Sequence, residues 1–196
     1  MNQITPTNNA DLINRLKGIV MLQPPVYKQV AEDKSATPTA AMIVAASAAL
    51  AGIGQFMAAM LRGRTSIGTA LLFAVFLVVA QILGWLLGSW LLAFVAKKFF
   101  NGDTDMGEMQ RVNGFTRIFG AAGVLAFIPV LGGLIGVAAA IAGIVGNIIG
   151  IREAAGLNTQ NAILTAIIAG VAAFAAAFAI VAIITIPFAG AALLSR

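Results

Sequence analysis

The chain of 196 residues contains no cysteine and no histidine, and only 10% of its residues are charged. The absence of thiols and imidazoles excludes disulfides, cysteine or histidine catalysis, and most zinc and haem sites. A soluble domain has about a quarter of its residues charged, so the composition also excludes an ordinary globular protein. What the chain does have is 60% hydrophobic residues and a mean hydropathy of +0.97, which predict membrane-spanning helices.

Long apolar segments place those helices along the chain. A transmembrane helix needs about 20 mostly apolar residues to cross a hydrocarbon core about 30 Å thick. Five segments predict such crossings, at about 39–61, 70–96, 112–128, 131–151 and 162–186. We therefore predict an all-α, polytopic transmembrane bundle of about five spans over residues 38–196, preceded by an amphipathic arm at residues 1–37.

The third segment is the weakest of the five. Only residues 118–128 are continuously apolar, which at 1.5 Å per residue covers about half a bilayer. A full span requires the helix to begin near Asp105 and Arg117 to reach the headgroups. Asp105 and Glu108 have the spacing of a capping box, which favours that start. The alternative is a re-entrant hairpin that turns at Pro129.

The distribution of basic residues predicts an orientation, since positive charge concentrates on the cytoplasmic side of short loops. Five spans place nine basic residues on the side of the N-terminus and three on the other, and a re-entrant third segment leaves that tally unchanged. The nine are Arg15, Lys17, Lys28, Lys34, Lys97, Lys98, Arg111, Arg117 and Arg152. We therefore predict a multi-pass protein of the cell's inner (plasma) membrane with a cytoplasmic N-terminus.

The arm contains a predicted amphipathic helix. Leu12, Leu16 and Ile19 recur at helical spacing, away from Arg15 and Lys17. One interpretation places this helix in the membrane interface, with its basic residues toward anionic headgroups. The other packs it on the bundle's own cytoplasmic face, and both can hold together.

Small residues form a stripe along the fourth span, at alternating steps of four and three residues. The stripe consists of Gly132, Gly136, Ala139, Gly143, Gly146 and Gly150, and the second span adds Gly84 and Gly88. Such spacing lets another helix backbone approach closely, so these residues are predicted to pack helices, either within the bundle or between two copies. Nothing charged or hydroxylated lies on the stripe, which argues against a water-filled channel.

Aromatic and basic residues mark the predicted membrane interface. Trp85 and Trp90 precede Lys97 and Lys98 at the end of the second span, a combination typical of interfacial anchors. The membrane-interface prediction thus comprises Trp85, Trp90, Lys97 and Lys98 together with Arg15 and Lys17 of the arm.

The spans hold no ionisable residue apart from Arg117, which argues against a proton-coupled transporter. Phosphate-binding loops, serine triads and metal-ligand clusters are missing from the sequence. We therefore predict no catalytic, cofactor or metal site and no enzyme. The scattered basic residues predict contact with lipid rather than nucleic acid.

These features favour a non-enzymatic membrane protein that organises or shapes the membrane, or that docks as an accessory subunit to a larger membrane complex. The expected partners are membrane lipids, with other complex subunits or a second copy of the chain as further candidates. The alternative is a small-molecule or lipid transporter, which would need a midplane cavity near Gln81 and Asn147.

Short motifs spread over most of the chain carry a family resemblance. They are Arg15-Leu16-Lys17-Gly18-Ile19, Tyr27-Lys28-Gln29-Val30-Ala31-Glu32-Asp33, Phe99-Phe100-Asn101-Gly102, Met109-Gln110-Arg111-Val112, Phe127-Ile128-Pro129 and Ile151-Arg152-Glu153-Ala154-Ala155-Gly156-Leu157. In these the chain resembles the Yip (Ypt-interacting protein) family, and more closely its bacterial branch. The resemblance implies a five-span bundle with a cytoplasmic N-terminus. Eukaryotic members are associated with vesicle traffic and small GTPases, but their Asp-Leu-Tyr-Gly-Pro motif does not occur here, so the resemblance implies no GTPase partner.

Overall fold

The computed structural model describes residues 9–63 and 66–194, with the backbone alone at 9, 177 and 180–194. Seven α-helices follow one another: α1 (Asn9–Val20), α2 (Pro24–Glu32), α3 (Thr37–Leu61), α4 (Ile67–Phe100), α5 (Met106–Thr116), α6 (Leu131–Ala155) and α7 (Thr159–Leu194). Two 3-10 segments lie at Lys34–Ala36 and Arg117–Phe127, and these described residues include no strand. The prediction of an all-α bundle is confirmed.

Four helical segments are long and apolar enough to cross a membrane: Lys34–Leu61, Ile67–Phe100, Leu131–Ala155 and Thr159–Ala176. Their outward faces carry large apolar side chains, among them Leu72 and Phe174, each 74% exposed. In water such continuous apolar surface is unfavourable, whereas in a bilayer it is solvated by acyl chains. These helices make the chain an integral membrane protein.

Helix α5 begins where the sequence predicts. The Asp105 carboxylate accepts a hydrogen bond from the Glu108 backbone N–H at 2.8 Å, and the Glu108 carboxylate accepts one from the Asp105 N–H at 3.2 Å. This reciprocal pair is the capping box expected from the spacing, and it satisfies two N–H groups that the helix itself leaves free. The preceding helix α4 ends at Phe100, two residues after its last cation, Lys98. The next residue, Asn101, adopts a left-handed conformation (φ 53°) that stops the helix.

The third predicted span differs from the expectation in its helix type. After α5, residues Arg117–Phe127 form a 3-10 helix of 11 residues, where runs beyond three or four residues are uncommon. A 3-10 helix stacks side chains at every third position, and one such row here is Arg117, Gly120, Gly123 and Ala126, in which two residues carry no side chain and a third only a methyl group. Small residues at this period remove the crowding that normally shortens such helices.

Helix α5 and the 3-10 segment that continues it run alongside α3 in the same direction. Gly114 lies against Ala40 near the start of α3, and Gly123 lies against Ala51, where an added Cβ would be 2.8 Å from the Ala51 Cβ. Farther along, Gly54 of α3 meets the backbone of Gly123 itself. The absence of Cβ atoms on both sides lets the two backbones touch.

Helix α6 then returns beside the same segment in the opposite direction. Gly132 lies against Leu125, and Gly150 lies against Val112 at the other end. Between those levels α6 rises about 27 Å, close to the thickness of a hydrocarbon core. Because a 3-10 helix rises about 2.0 Å per residue, residues 112–125 extend about 24 Å rather than the 20 Å of an α-helix. The greater rise lets this short apolar segment cover more of that depth than an α-helix of the same length would.

The tightly packed core lies at one end of the bundle. We call this end the N-terminal face because α1 and α2 lie there. The end of α4 and the starts of α5 and α7 lie at the same face. The largest fully buried side chains in the described part cluster at this face: Tyr27, Phe115, Ile19, Met109 and Ile151. The rest of the bundle interior is lined by small residues. This uneven packing positions the candidate site.

Candidate functional site: a cavity within the bundle

Helix α2 packs across the end of the bundle at the N-terminal face. The Tyr27 side chain is fully buried, and its hydroxyl donates a hydrogen bond to the Ile19 carbonyl at 3.0 Å. The Tyr27 oxygen also fits over Gly146, where an added Cβ would lie only 2.7 Å away. Burial raises the pKa of Tyr27 to about 12, so the phenol stays neutral at physiological pH. Tyr27 is therefore a neutral side chain that fills the space over Gly146 of α6.

Arg111 fastens α2 to the bundle. Its guanidinium is 4% exposed and donates from Nε to the Ala31 carbonyl at 2.9 Å, with a second hydrogen bond from the same fork to the same oxygen. A third donor reaches Thr37 Oγ1 at 3.4 Å. The Ala31 carbonyl belongs to the last turn of α2, where helical carbonyls lack partners and attract cations. Arg111 therefore joins α2, α3 and α5.

Arg15 connects α1 to the same region. Its guanidinium lies 2.6 Å from an Asp33 carboxylate oxygen and 3.1 Å from Asp11. Burial opposes ionisation of Asp33, but hydrogen bonds from Ser35 and from Arg15 outweigh it and hold the pKa of Asp33 below its usual value. Arg15 is thus partly buried in ion pairs within the arm, whereas Lys17 is exposed.

A cavity of about 820 Å³ occupies the bundle interior between α4, α5 with its 3-10 continuation, α6 and α7. Most of the wall is apolar and carries small side chains. The small residues of the wall are Gly84, Gly88, Gly120, Ala122, Gly123, Gly136, Ala139, Ala140, Gly143, Ala166, Ala169, Gly170 and Ala173. The volume lies in the range of about 300–1,000 Å³ that is typical of small-molecule sites.

Polar groups project into this cavity from three elements. Asn113 of α5 accepts from the Asn147 amide at 3.5 Å and donates to the Ser89 hydroxyl at 3.1 Å, which fixes both asparagine side chains. Gln81 lines the wall on α4 and makes no hydrogen bond to any residue that the structure describes. The cavity therefore offers amide donors and acceptors to an occupant.

Arg117 is the charged residue of the cavity wall. It follows Thr116, which packs on Gly146, about 9 Å along α6 from the level of Arg152. That depth places Arg117 within the apolar part of the bundle, and its side chain lines the cavity. Over residues 9–63 and 66–194, no hydrogen bond or ion pair engages its guanidinium.

The small residues predicted to pack helices divide into two groups. Gly132, Gly146 and Gly150 of α6 lie in close contact with Leu125, Tyr27 and Val112 respectively, where an added Cβ would clash or press on its neighbour. Gly136, Ala139 and Gly143 of the same helix line the cavity, as do Gly84 and Gly88 of α4. At Gly84 and Gly136 no heavy atom lies within 4 Å of an added Cβ. Along this second group the missing side chains leave space open.

The residues predicted for the membrane interface also occupy different environments. Trp85 is 6% exposed and donates from its indole N–H to the Gln110 carbonyl at 2.9 Å, so it lies inside the bundle. Trp90 is 50% exposed and stacks on Phe94 with 5.7 Å between ring centroids. Lys97 and Lys98 are exposed at the N-terminal face.

Sequence reasoning overlooked three residues that organise the site. Asn113 and Thr116 line the cavity from α5, and Tyr27 packs against Gly146, the neighbour of Asn147 in the cavity wall. The polar residues of α5 had signalled only a helix start, because that helix has no long apolar stretch. Asn113 and Thr116 are three positions apart, which places them near one face of the helix, but this spacing gives no sign of a cavity.

The fold defines the class of protein: a polytopic bundle of membrane-crossing helices with an amphipathic N-terminal arm and an open cavity between its helices. The family model described as the Yip1 domain matches residues 19–194, which is most of the chain. The chain therefore belongs to the Yip1 domain family, as the motifs of its sequence had indicated. Searches among curated proteins and among solved structures found no significant match.

Proposed function

We propose that this membrane protein is a non-enzymatic carrier or binder of a lipid-like amphiphile, which enters the cavity between α4, α6 and α7. The observation that carries the proposal is the cavity itself, about 820 Å³ in volume and lined by Gln81 and Asn147 among others. A transporter or lipid binder needs such a space, whereas a bundle that serves only as a scaffold gains stability by filling it.

The chemistry of the wall supports an amphiphile as the occupant. Glycine and alanine on four elements offer an apolar surface, and acyl chains are the apolar molecules available within a bilayer. The amide groups of Gln81, Asn113 and Asn147 offer hydrogen bonds to a polar head. All seven carboxylates lie outside the cavity wall, so the wall contains no acidic group that could act as a nucleophile or general base.

Filling the cavity tests the proposal. Gly136→Leu places a large side chain in the open space, and we expect lipids that co-purify with the wild-type protein to be lost by at least about tenfold. Gly133→Leu is the matched control, since Gly133 is on the same helix, has nothing within 4 Å of an added Cβ and does not line the cavity. Native mass spectrometry of the purified variants measures the retained lipid, and equal retention by both variants would contradict the proposal.

A membrane-organising or docking role is the second candidate, and one observation favours it. Ile13 and Val20 of α1 are 52% and 51% exposed, and Met21 beside them is 69% exposed. An apolar patch of this kind on an arm beside a bilayer suits insertion into the interface or contact with a partner subunit. If Gly136→Leu retains its lipids, this candidate is favoured.

We further propose that the N-terminal face is cytoplasmic and that the protein lies in the plasma membrane. The excess of basic residues at that face supports this orientation. Because the chain lacks cysteine, single substitutions report directly on each side. In intact cells we expect Arg62→Cys to react with a membrane-impermeant maleimide and Lys17→Cys to react only after permeabilisation. The reverse labelling pattern would show that the N-terminal face lies outside the cell.

A further inference from the structure

The cation of the cavity has no counter-ion within the described structure. The other arginines at the N-terminal face are engaged: Arg15 with Asp11 and Asp33, Arg111 with the Ala31 carbonyl, and Arg152 with Glu153 at 2.8 Å. The guanidinium of Arg117 makes no such contact with residues 9–63 or 66–194, although it lines the cavity. The contrast sets Arg117 apart from its neighbours.

Electrostatics require a partner for this group. A guanidinium stays protonated at any physiological pH, so Arg117 cannot lower the cost of its burial by losing a proton. Charged side chains at such depth pair with an opposite charge or face a polar cavity, and they mark the paths of ligands. The chain supplies no carboxylate at the cavity wall, since its seven acidic residues lie elsewhere. An anionic occupant of the cavity would supply the negative charge that the chain does not.

We propose that Arg117 binds the anionic headgroup, a phosphate or carboxylate, of the amphiphile in the cavity. This inference rests on the proposed function and specifies which class of occupant the site selects. The planar guanidinium can donate two parallel hydrogen bonds to such an anion, and the Asn113 and Asn147 amides of the same cavity wall add neutral hydrogen-bonding groups. The apolar part of the ligand lies along the small residues of α6 and α7.

A pair of lipids that differ in net charge tests this selection. The full chain is reconstituted in nanodiscs that contain equal amounts of phosphatidylglycerol and phosphatidylcholine, and the lipids it retains in detergent are counted by native mass spectrometry. We expect the wild type to retain the anionic lipid about tenfold over the zwitterionic one. Arg117→Gln should reduce this preference below about twofold while the total retained lipid stays the same.

Two further variants control for charge and for the cavity. Arg117→Lys keeps the charge and should retain part of the preference, whereas Arg62→Gln removes an exposed charge outside the cavity and should leave it unchanged. If Gly136→Leu retains lipid as the wild type does, the proposed function fails. If Gly136→Leu loses lipid but Arg117→Gln keeps the anionic preference, only the headgroup assignment fails.

The source of the anion is resolved by a second measurement on the wild-type protein in detergent. A rise in Tm with added phosphatidylglycerol but not with inorganic phosphate supports a lipid headgroup. A rise with both supports anion binding that does not need the acyl chains. Either rise in Tm should disappear in Arg117→Gln. If neither phosphatidylglycerol nor inorganic phosphate raises the Tm of the wild type, the proposal is overturned.

Discussion

Replacing Gly54 by alanine is expected to destabilise the bundle by about 2–3 kcal/mol. An added Cβ would overlap the Gly123 carbonyl oxygen and would lie 2.8 Å from the Val124 Cα. These neighbours are backbone atoms of the 3-10 segment, so no change of rotamer relieves the clash and the two elements must separate. The free energy of unfolding in detergent micelles, followed by circular dichroism during denaturant titration, measures the loss.

The matched control, Gly84→Ala, is not expected to lower the stability of the bundle. Gly84 also lies inside a long helix, but nothing lies within 4 Å of its added Cβ. Alanine is preferred to glycine in a helix interior by about 0.5–1 kcal/mol, so Gly84→Ala should leave stability unchanged or raise it. A similar loss in both variants would show that the contact between α3 and the 3-10 segment is not what makes Gly54 necessary.

Replacing Arg111 by methionine is expected to release α2 from the N-terminal face. The substitution keeps an apolar stem but removes the charged donors that satisfy the Ala31 carbonyl, each worth about 1.5–3 kcal/mol. A loss of about 3 kcal/mol raises the opening equilibrium of α2 about a hundredfold. Hydrogen–deuterium exchange of residues 24–32 measures this directly, and we expect faster exchange there with little change in α4.

Two controls separate the geometry of this contact from its charge. Arg111→Lys retains the charge without the planar fork, so it should protect α2 only in part. Arg152→Met removes a partly exposed arginine whose partner is its own neighbour, Glu153, and should cost no more than about 1 kcal/mol. Unchanged exchange in Arg111→Met would mean that the packing of Tyr27 alone holds α2 in place.

The local features of the fold were accessible from the sequence because local residues determine them. The capping box of Asp105 and Glu108 predicted the start of α5, and the spacing of Leu12, Leu16 and Ile19 predicted α1. The helical character of the third span was predicted, but its 3-10 form was not. A short run with small residues fits periods of 3.0 and 3.6 alike, and contact with α3 decides between them.

The glycine pattern shows a different limit. A residue without a side chain permits a close neighbour, but the sequence does not say whether a neighbour occupies the space. At Gly146 the space is filled by Tyr27, which lies 119 positions earlier in the chain, and at Gly136 it is left open. Trp85 illustrates the same point, since its amphipathic ring suits either an interface or a buried hydrogen bond with Gln110.

The sequence by itself determined that this chain crosses a membrane, which segments are helical, and to which family it belongs, because hydropathy and capping act over a few neighbouring residues. Only the tertiary structure decided that an open cavity lies between the helices and that Arg117 lines it with no acidic partner among the described residues. A cavity is the space that several elements fail to fill together, and that space depends on how they are arranged. No single segment of the chain encodes it.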